Sequence, residues 1–131
     1  MLSSCALPKI AVIKDPLTPE EHINLGVSYE QKRELEQALD HYQSASKRLP
    51  VAHLYMGNIY FQKEDYKRAE ESYKKAIKKT DDPRAYNNLA WLYFKTGREL
   101  EKARALAEKA VELSPESGEF KDTLEKIREA F

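Results

Sequence analysis

Three segments of the sequence carry the same apolar spacing, and that repetition limits the fold more than any other feature. The first has His22, Leu25, Gly26 and Tyr29, the second His53, Met56, Gly57 and Tyr60, and the third Tyr86, Leu89, Ala90 and Tyr93. Steps of i, i+3, i+4 and i+7 put all four residues on one face of a helix, and the small residue lets a neighbouring helix approach closely. Twelve residues beyond Gly26 and Gly57, and thirteen beyond Ala90, comes a second pattern. It reads Leu35, Ala38, Tyr42 and Ala45, then Tyr66, Ala69, Tyr73 and Ala76, then Leu100, Ala103, Ala107 and Ala110. These are partner helices whose large and small side chains interdigitate with the first set. The unit is a helical hairpin, used three times.

The segment Tyr86-Asn87-Asn88-Leu89-Ala90-Trp91-Leu92-Tyr93 with Lys95-Thr96-Gly97, and the later Ala110-Val111-Glu112-Leu113-Ser114-Pro115, resemble the tetratricopeptide repeat over Pro19 to Ser117. The resemblance implies an all-α fold, a right-handed superhelical solenoid of three helix-turn-helix repeats. The repeats fall at about 19–49, 50–82 and 83–117. Residues 118–130 read as a lone capping helix with Phe120, Leu124 and Ile127 on its apolar side, which is what an array needs to close its exposed core.

Two departures from the family period carry structural information. Gly26 and Gly57 lie 31 residues apart rather than about 34, so Pro50 is expected both to end the first hairpin and to open the next helix. The extra residue between Ala90 and Ala103 is expected to bulge the turn near Gly97-Arg98-Glu99.

Residues 1–18 hold Pro8 and Pro16, a density that breaks helices, with Ile10, Ala11, Val12 and Ile13 between them. They read as an extended tether, with Leu7, Ile10, Val12 and Ile13 able to fold back as an internal ligand. Thr18-Pro19-Glu20-Glu21 reads as a helix start, cap first and carboxylates at the positive end of the dipole. Leu2-Ser3-Ser4-Cys5 resembles the cleavage box of bacterial lipoproteins, which implies lipid attachment at Cys5. Only four residues precede Cys5, too few for a signal segment, so that reading places the true start upstream.

Charge argues against nucleic acid and against an acidic membrane surface: 22 basic residues balance 22 acidic ones. No run of about 18 apolar residues occurs, so a membrane would be reached only through an anchor. A single cysteine removes intramolecular disulfides and multi-thiolate metal sites. His22, His41 and His53 read as packed histidines rather than metal ligands. No glycine-rich loop, nucleophile elbow or zinc-hydrolase spacing is present, so the reading is no enzyme and no cofactor. Lys74, Lys75, Lys78 and Lys79 read as a solvated face that complements the helix dipole.

In the tetratricopeptide family the first helices line a concave groove, which implies a contact surface one turn from the packing face. The residues so placed are Ile23, Val27, Glu30 and Gln31, then Leu54, Asn58, Phe61 and Gln62, then Asn87, Trp91, Phe94 and Lys95, with Arg84 at the edge. Val27 and Trp91 suggest an unusually apolar groove, with Trp91 its strongest anchor. Some family members grip acidic chaperone tails with basic and asparagine residues, but the corresponding steps hold Ile23, Val27, Tyr55, Arg84 and Asn88 here. Two readings follow. One is a scaffold for a protein or peptide, anchored at a bacterial envelope through Cys5. The other is a cytoplasmic adaptor or homo-oligomerising subunit in which Cys5 is an incidental thiol.

Overall fold

The computed structural model describes residues 14–131, and all of its regular elements there are helices. In order they are α1 (Pro19–Gln31), α2 (Leu35–Ser46), α3 (Ala52–Gln62), α4 (Tyr66–Thr80), α5 (Pro83–Thr96), α6 (Leu100–Leu113) and α7 (Gly118–Arg128). The expectations for Cys5 and for the apolar group at 10–13 lie outside the described residues.

Helix starts follow local chemistry. The Thr18 hydroxyl accepts from the Glu21 amide at 3.1 Å while the Glu21 carboxylate accepts from the Thr18 amide at 2.7 Å, so two otherwise orphaned donors are satisfied reciprocally. Asp82 caps α5 through the Arg84 amide at 2.9 Å, with Pro83 in the first turn. Ser117 caps α7 through the Phe120 amide. The start of α3 differs from expectation: α2 ends at Ser46, and α3 begins at Ala52 without a side-chain cap. The Pro50 carbonyl accepts from the His53 amide, so Pro50 belongs to a turn over 47–51 rather than to either helix.

α1 packs on α2, α3 on α4 and α5 on α6, and each second helix packs on the first helix of the next pair. α3 also touches α5, and α5 touches α7, whereas the second helices pack mainly on the first helices between them. First helices therefore line the inner side and second helices the outer side, with α7 extending the inner row.

The core is built from alanines that let backbones close and from rings that fill the remaining space. Ala38, Ala45, Ala69, Ala76, Ala103, Ala107 and Ala110 are all at 0 % exposure. Tyr42 and Tyr73 lie directly against Gly26 and Gly57, where an added Cβ would stand 2.4 Å and 2.5 Å from ring carbons. Only glycine fits opposite those rings. Leu25 departs from the expected packing face at 37 % exposure, because no described element packs against α1 on the side where α2 covers Met56 and α4 covers Leu89.

Each hairpin turn ends its first helix with a left-handed residue: Arg33 at φ 61°, Glu64 at φ 59° and Gly97 at φ 66°. In each the following amide reaches back five residues, to the carbonyls of Tyr29, Tyr60 and Tyr93. The extra residue of the third hairpin is absorbed by a second left-handed position, Glu99 at φ 52°.

Candidate functional site

The inner side carries two adjoining cavities with Trp91 in the wall of both. One, about 340 Å³, is lined by Glu30, Asn58, Phe61, Gln62, Tyr73, Asn88 and Trp91. The other, about 460 Å³, is lined by Asn87, Asn88, Trp91, Glu119, Asp122, Thr123 and Lys126. Together they form a continuous inner surface from the end of α1 to the face of α7.

A row of amides makes the floor. Asn58 Oδ1 accepts from the Tyr73 hydroxyl at 2.9 Å and from Asn88 Nδ2 at 2.9 Å. Asn87 Nδ2 makes a long contact of 3.5 Å to Asn88 Oδ1, and Asn87 Oδ1, in a residue only 3 % exposed, has no donor among the described residues. At the α1 end Glu30 is clamped between the Tyr42 hydroxyl at 2.9 Å and Gln62 Nε2 at 2.7 Å. Burial pushes both Tyr42 and Tyr73 well above the ordinary phenol range, with Glu30 adding to the shift at Tyr42, so both stay protonated donors. Trp91 tilts against Phe94 with centroids 5.4 Å apart, and Lys126 Nζ lies 5.6 Å above the indole centroid.

Set against the expected contact residues, Glu30, Asn58, Phe61, Gln62, Asn87 and Trp91 line these cavities. Leu54 does not: at 2 % exposure it belongs to the core, because its step on α3 turns it inward. Ile23 and Val27 pack against the cluster around Ala38 and Tyr42. Phe94 packs against the main core as well as against Trp91. Lys95 and Arg84 are exposed, and Arg84 is held by Asp82, with Nη2 to Oδ2 at 2.6 Å. That hydrogen bond pushes the guanidinium above its ordinary range. The groove is accordingly mixed, with more polar groups in its walls than expected. The two apolar residues of α1 are drawn into packing, Glu30 stands in the wall at the step expected of it, and two carboxylates that sequence reasoning left out, Glu119 and Asp122, come to the wall as well. The i, i+3 spacing of Glu119 and Asp122 already put them on one helical face, but nothing local said that α5 would stand across from it.

On the outer side a third cavity of about 460 Å³ lies between α4 and α6, floored by Leu89, Tyr86 and Tyr93 and edged by Lys74, Lys78, Lys102 and Lys109. The lysine cluster is thus split, with Lys74 and Lys78 beside an apolar cleft and Lys74 already paired to Glu70 at 2.5 Å.

Two of the three histidines also find partners unforeseen in sequence. His22 Nε2 meets Asp15 Oδ2 at 2.9 Å and its Nδ1 meets His41 Nδ1 at 2.9 Å, while His41 stacks on Tyr29. These contacts tie the segment before α1 onto the first hairpin. Among the described residues no group of three or more histidine, cysteine or carboxylate side chains is placed to hold a metal ion. Nor is any described helix long and apolar enough to cross a membrane.

A search of curated protein sequences finds no match. Residues 54–118 match the tetratricopeptide repeat family. Among solved structures, the first TPR domain of Spaghetti (RPAP3) bound to the HSP90 peptide SRMEEVD is similar at 23 % identity and TM-score 0.78, covering 91 % of this chain and 97 % of that one. The first TPR domain of human RPAP3 is 23 % identical at TM-score 0.80, covering 88 % of this chain and 94 % of that chain. The Sgt2 TPR domain of Aspergillus fumigatus is 19 % identical at TM-score 0.77, covering 86 % and 78 %. Three hairpins in register, a match that spans the second and third of them, and the same solenoid in distant structures have one explanation, which is that the chain belongs to the tetratricopeptide repeat family.

Proposed function

We propose that the chain is a protein-interaction module that holds an extended segment of a partner along the inner surface of its first helices, with Trp91 at the centre. The observation that carries this reading is the placement of Trp91, half-buried between two cavities and beside a row of side-chain amides. An indole in such a position is the kind of side chain that supplies a large share of binding energy, and amides on either side offer donors and acceptors to an extended backbone. The similar Spaghetti domain is bound to a peptide, which supports a peptide as the class of ligand. In the same reading, an acylated Cys5 would hold the groove at a membrane surface. Intact-mass measurement of the native protein checks this, and a free thiol there removes the anchor from the proposal.

The test is to select binders from a random peptide library on the full chain and compare wild type with Trp91→Ala. The expected result is a loss of about 30-fold or more in affinity with an unchanged helical circular dichroism signal. A variant that melts earlier yet binds equally well would assign Trp91 to packing and move the site to the outer cleft.

A further inference from the structure

We infer that the α5–α7 end of the groove is a subsite for a basic side chain, best an arginine, of the bound segment. The inference rests on the groove reading above and adds the chemistry of the partner.

Polar groups at this end are mostly acceptors without donors. Asn87 is 3 % exposed and its Oδ1 has no donor among the described residues, an arrangement that buried amides rarely tolerate. Its amide torsion is soft, so the oxygen can be turned into the cavity that the residue lines. Glu119 and Asp122 share one face of α7, are exposed, and take part in no ion pair among the described residues. Lys126 stands one helical turn beyond Asp122, the spacing of an ordinary helix ion pair. Yet its ammonium lies over the Trp91 ring, 5.6 Å from the centroid, rather than on the carboxylate. The indole face therefore already accommodates a cation, supplied from within the chain.

A guanidinium matches this set better than any other side chain. It offers five donors in a plane, no acceptor, and a face that stacks on an aromatic ring. It would satisfy Asn87 Oδ1 and the two carboxylates while displacing Lys126 from the indole. An acidic segment would meet carboxylates and an amide oxygen instead. Across both inner cavities three carboxylates face one lysine. The acidic peptide on the Spaghetti domain is thus the opposite of what this wall attracts.

Trp91 is the only tryptophan of the chain, so its fluorescence reports on the subsite directly. The probes are acetyl-arginine methylamide, the citrulline analogue of the same shape without the charge, and acetyl-glutamate methylamide, each titrated into the full chain. The arginine probe is expected to half-saturate at about tenfold lower concentration than the citrulline probe. Glu119→Gln with Asp122→Asn should erase that difference with the circular dichroism spectrum unchanged, and Lys126→Ala should tighten the arginine probe several-fold. Equal response to arginine and citrulline, or preference for the glutamate probe, overturns the subsite. Should the arginine preference fail while library peptides still require Trp91, the subsite falls and the groove stands. If library peptides ignore Trp91 but the arginine preference persists and depends on Glu119 and Asp122, the groove reading falls and the local site stands.

Discussion

The first two hairpins and the third solve one packing problem in opposite ways. In α1 and α3 a glycine faces a tyrosine of the second helix, Gly26 against Tyr42 and Gly57 against Tyr73. In the third hairpin the same two steps hold Ala90 and Ala107, both at 0 % exposure. One solution puts all the volume on one helix, and the other divides it. The consequence reaches the inner surface: Tyr42 and Tyr73 extend past the glycines to bond Glu30 and Asn58, whereas the third hairpin sends no such hydroxyl inward and leaves that space to Trp91 and α7. The tyrosine hairpins are expected to be brittle to changes of volume and the alanine hairpin tolerant.

The largest effect should come from Tyr73→Ala, at about 3–4 kcal/mol in urea unfolding, since it empties a filled core site and strips a donor from Asn58. Gly57→Ala should cost about 1–2 kcal/mol even though alanine is the better helix former, because its methyl would overlap a ring held at both ends. Combining the two imitates the third hairpin and should cost at least about 1 kcal/mol less than the sum of the singles. Strict additivity would break the comparison. Ala90→Gly is the converse, and it should cost about 1 kcal/mol by helix propensity and a lost methyl contact.

A pH scan sharpens the comparison at another step, where the third hairpin has Tyr86 and the second has His53. Burial, with Lys75 and Lys79 nearby, pushes His53 below its ordinary value of 6.5, and its Nδ1 has no partner among the described residues. The folded chain therefore refuses a proton that the unfolded chain accepts. Stability contributed by the neutral ring is intact above pH 6.5 and is lost as pH falls from there through the lowered folded value. In His53→Tyr this part of the acid loss should vanish. An unchanged profile would show that His53 does not carry the loss.

The hairpins were legible because their signal is local: periodic apolar residues, a capping threonine before Pro19, an aspartate before Pro83 and an extra residue after Gly97 all act within a turn or two. The groove was legible only in part. Trp91 and Asn58 were placed by counting along a helix, but Leu54 lies one step from Tyr55 and only the packing of neighbouring helices decides which of the two is covered. Ile23 and Val27 were assigned to the groove from their steps on α1, while the residues around Tyr42 that claim them lie on another helix. Glu119, Asp122 and Lys126 belong to a helix whose register against α5 is purely tertiary, as is the meeting of Asp15, His22 and His41.

The smallest effect concerns the turns, where the third hairpin holds the advantage. Gly97 adopts φ 66° without steric cost, while Glu64 is forced to φ 59° in the equivalent turn of the second hairpin. Glu64 is exposed, so replacing it removes strain without disturbing the core. Glu64→Gly should raise stability by about 0.5 kcal/mol, the relief of the left-handed backbone exceeding the greater freedom glycine gives the unfolded chain. Gly97→Ala should lower it by about 1 kcal/mol, although nothing lies within 4 Å of the added methyl. Opposite signs from mirror changes at matched positions would show that the turns are limited by backbone conformation. Equal signs would locate the cost in the side chains, with the Glu64 carboxylate then the group to remove next.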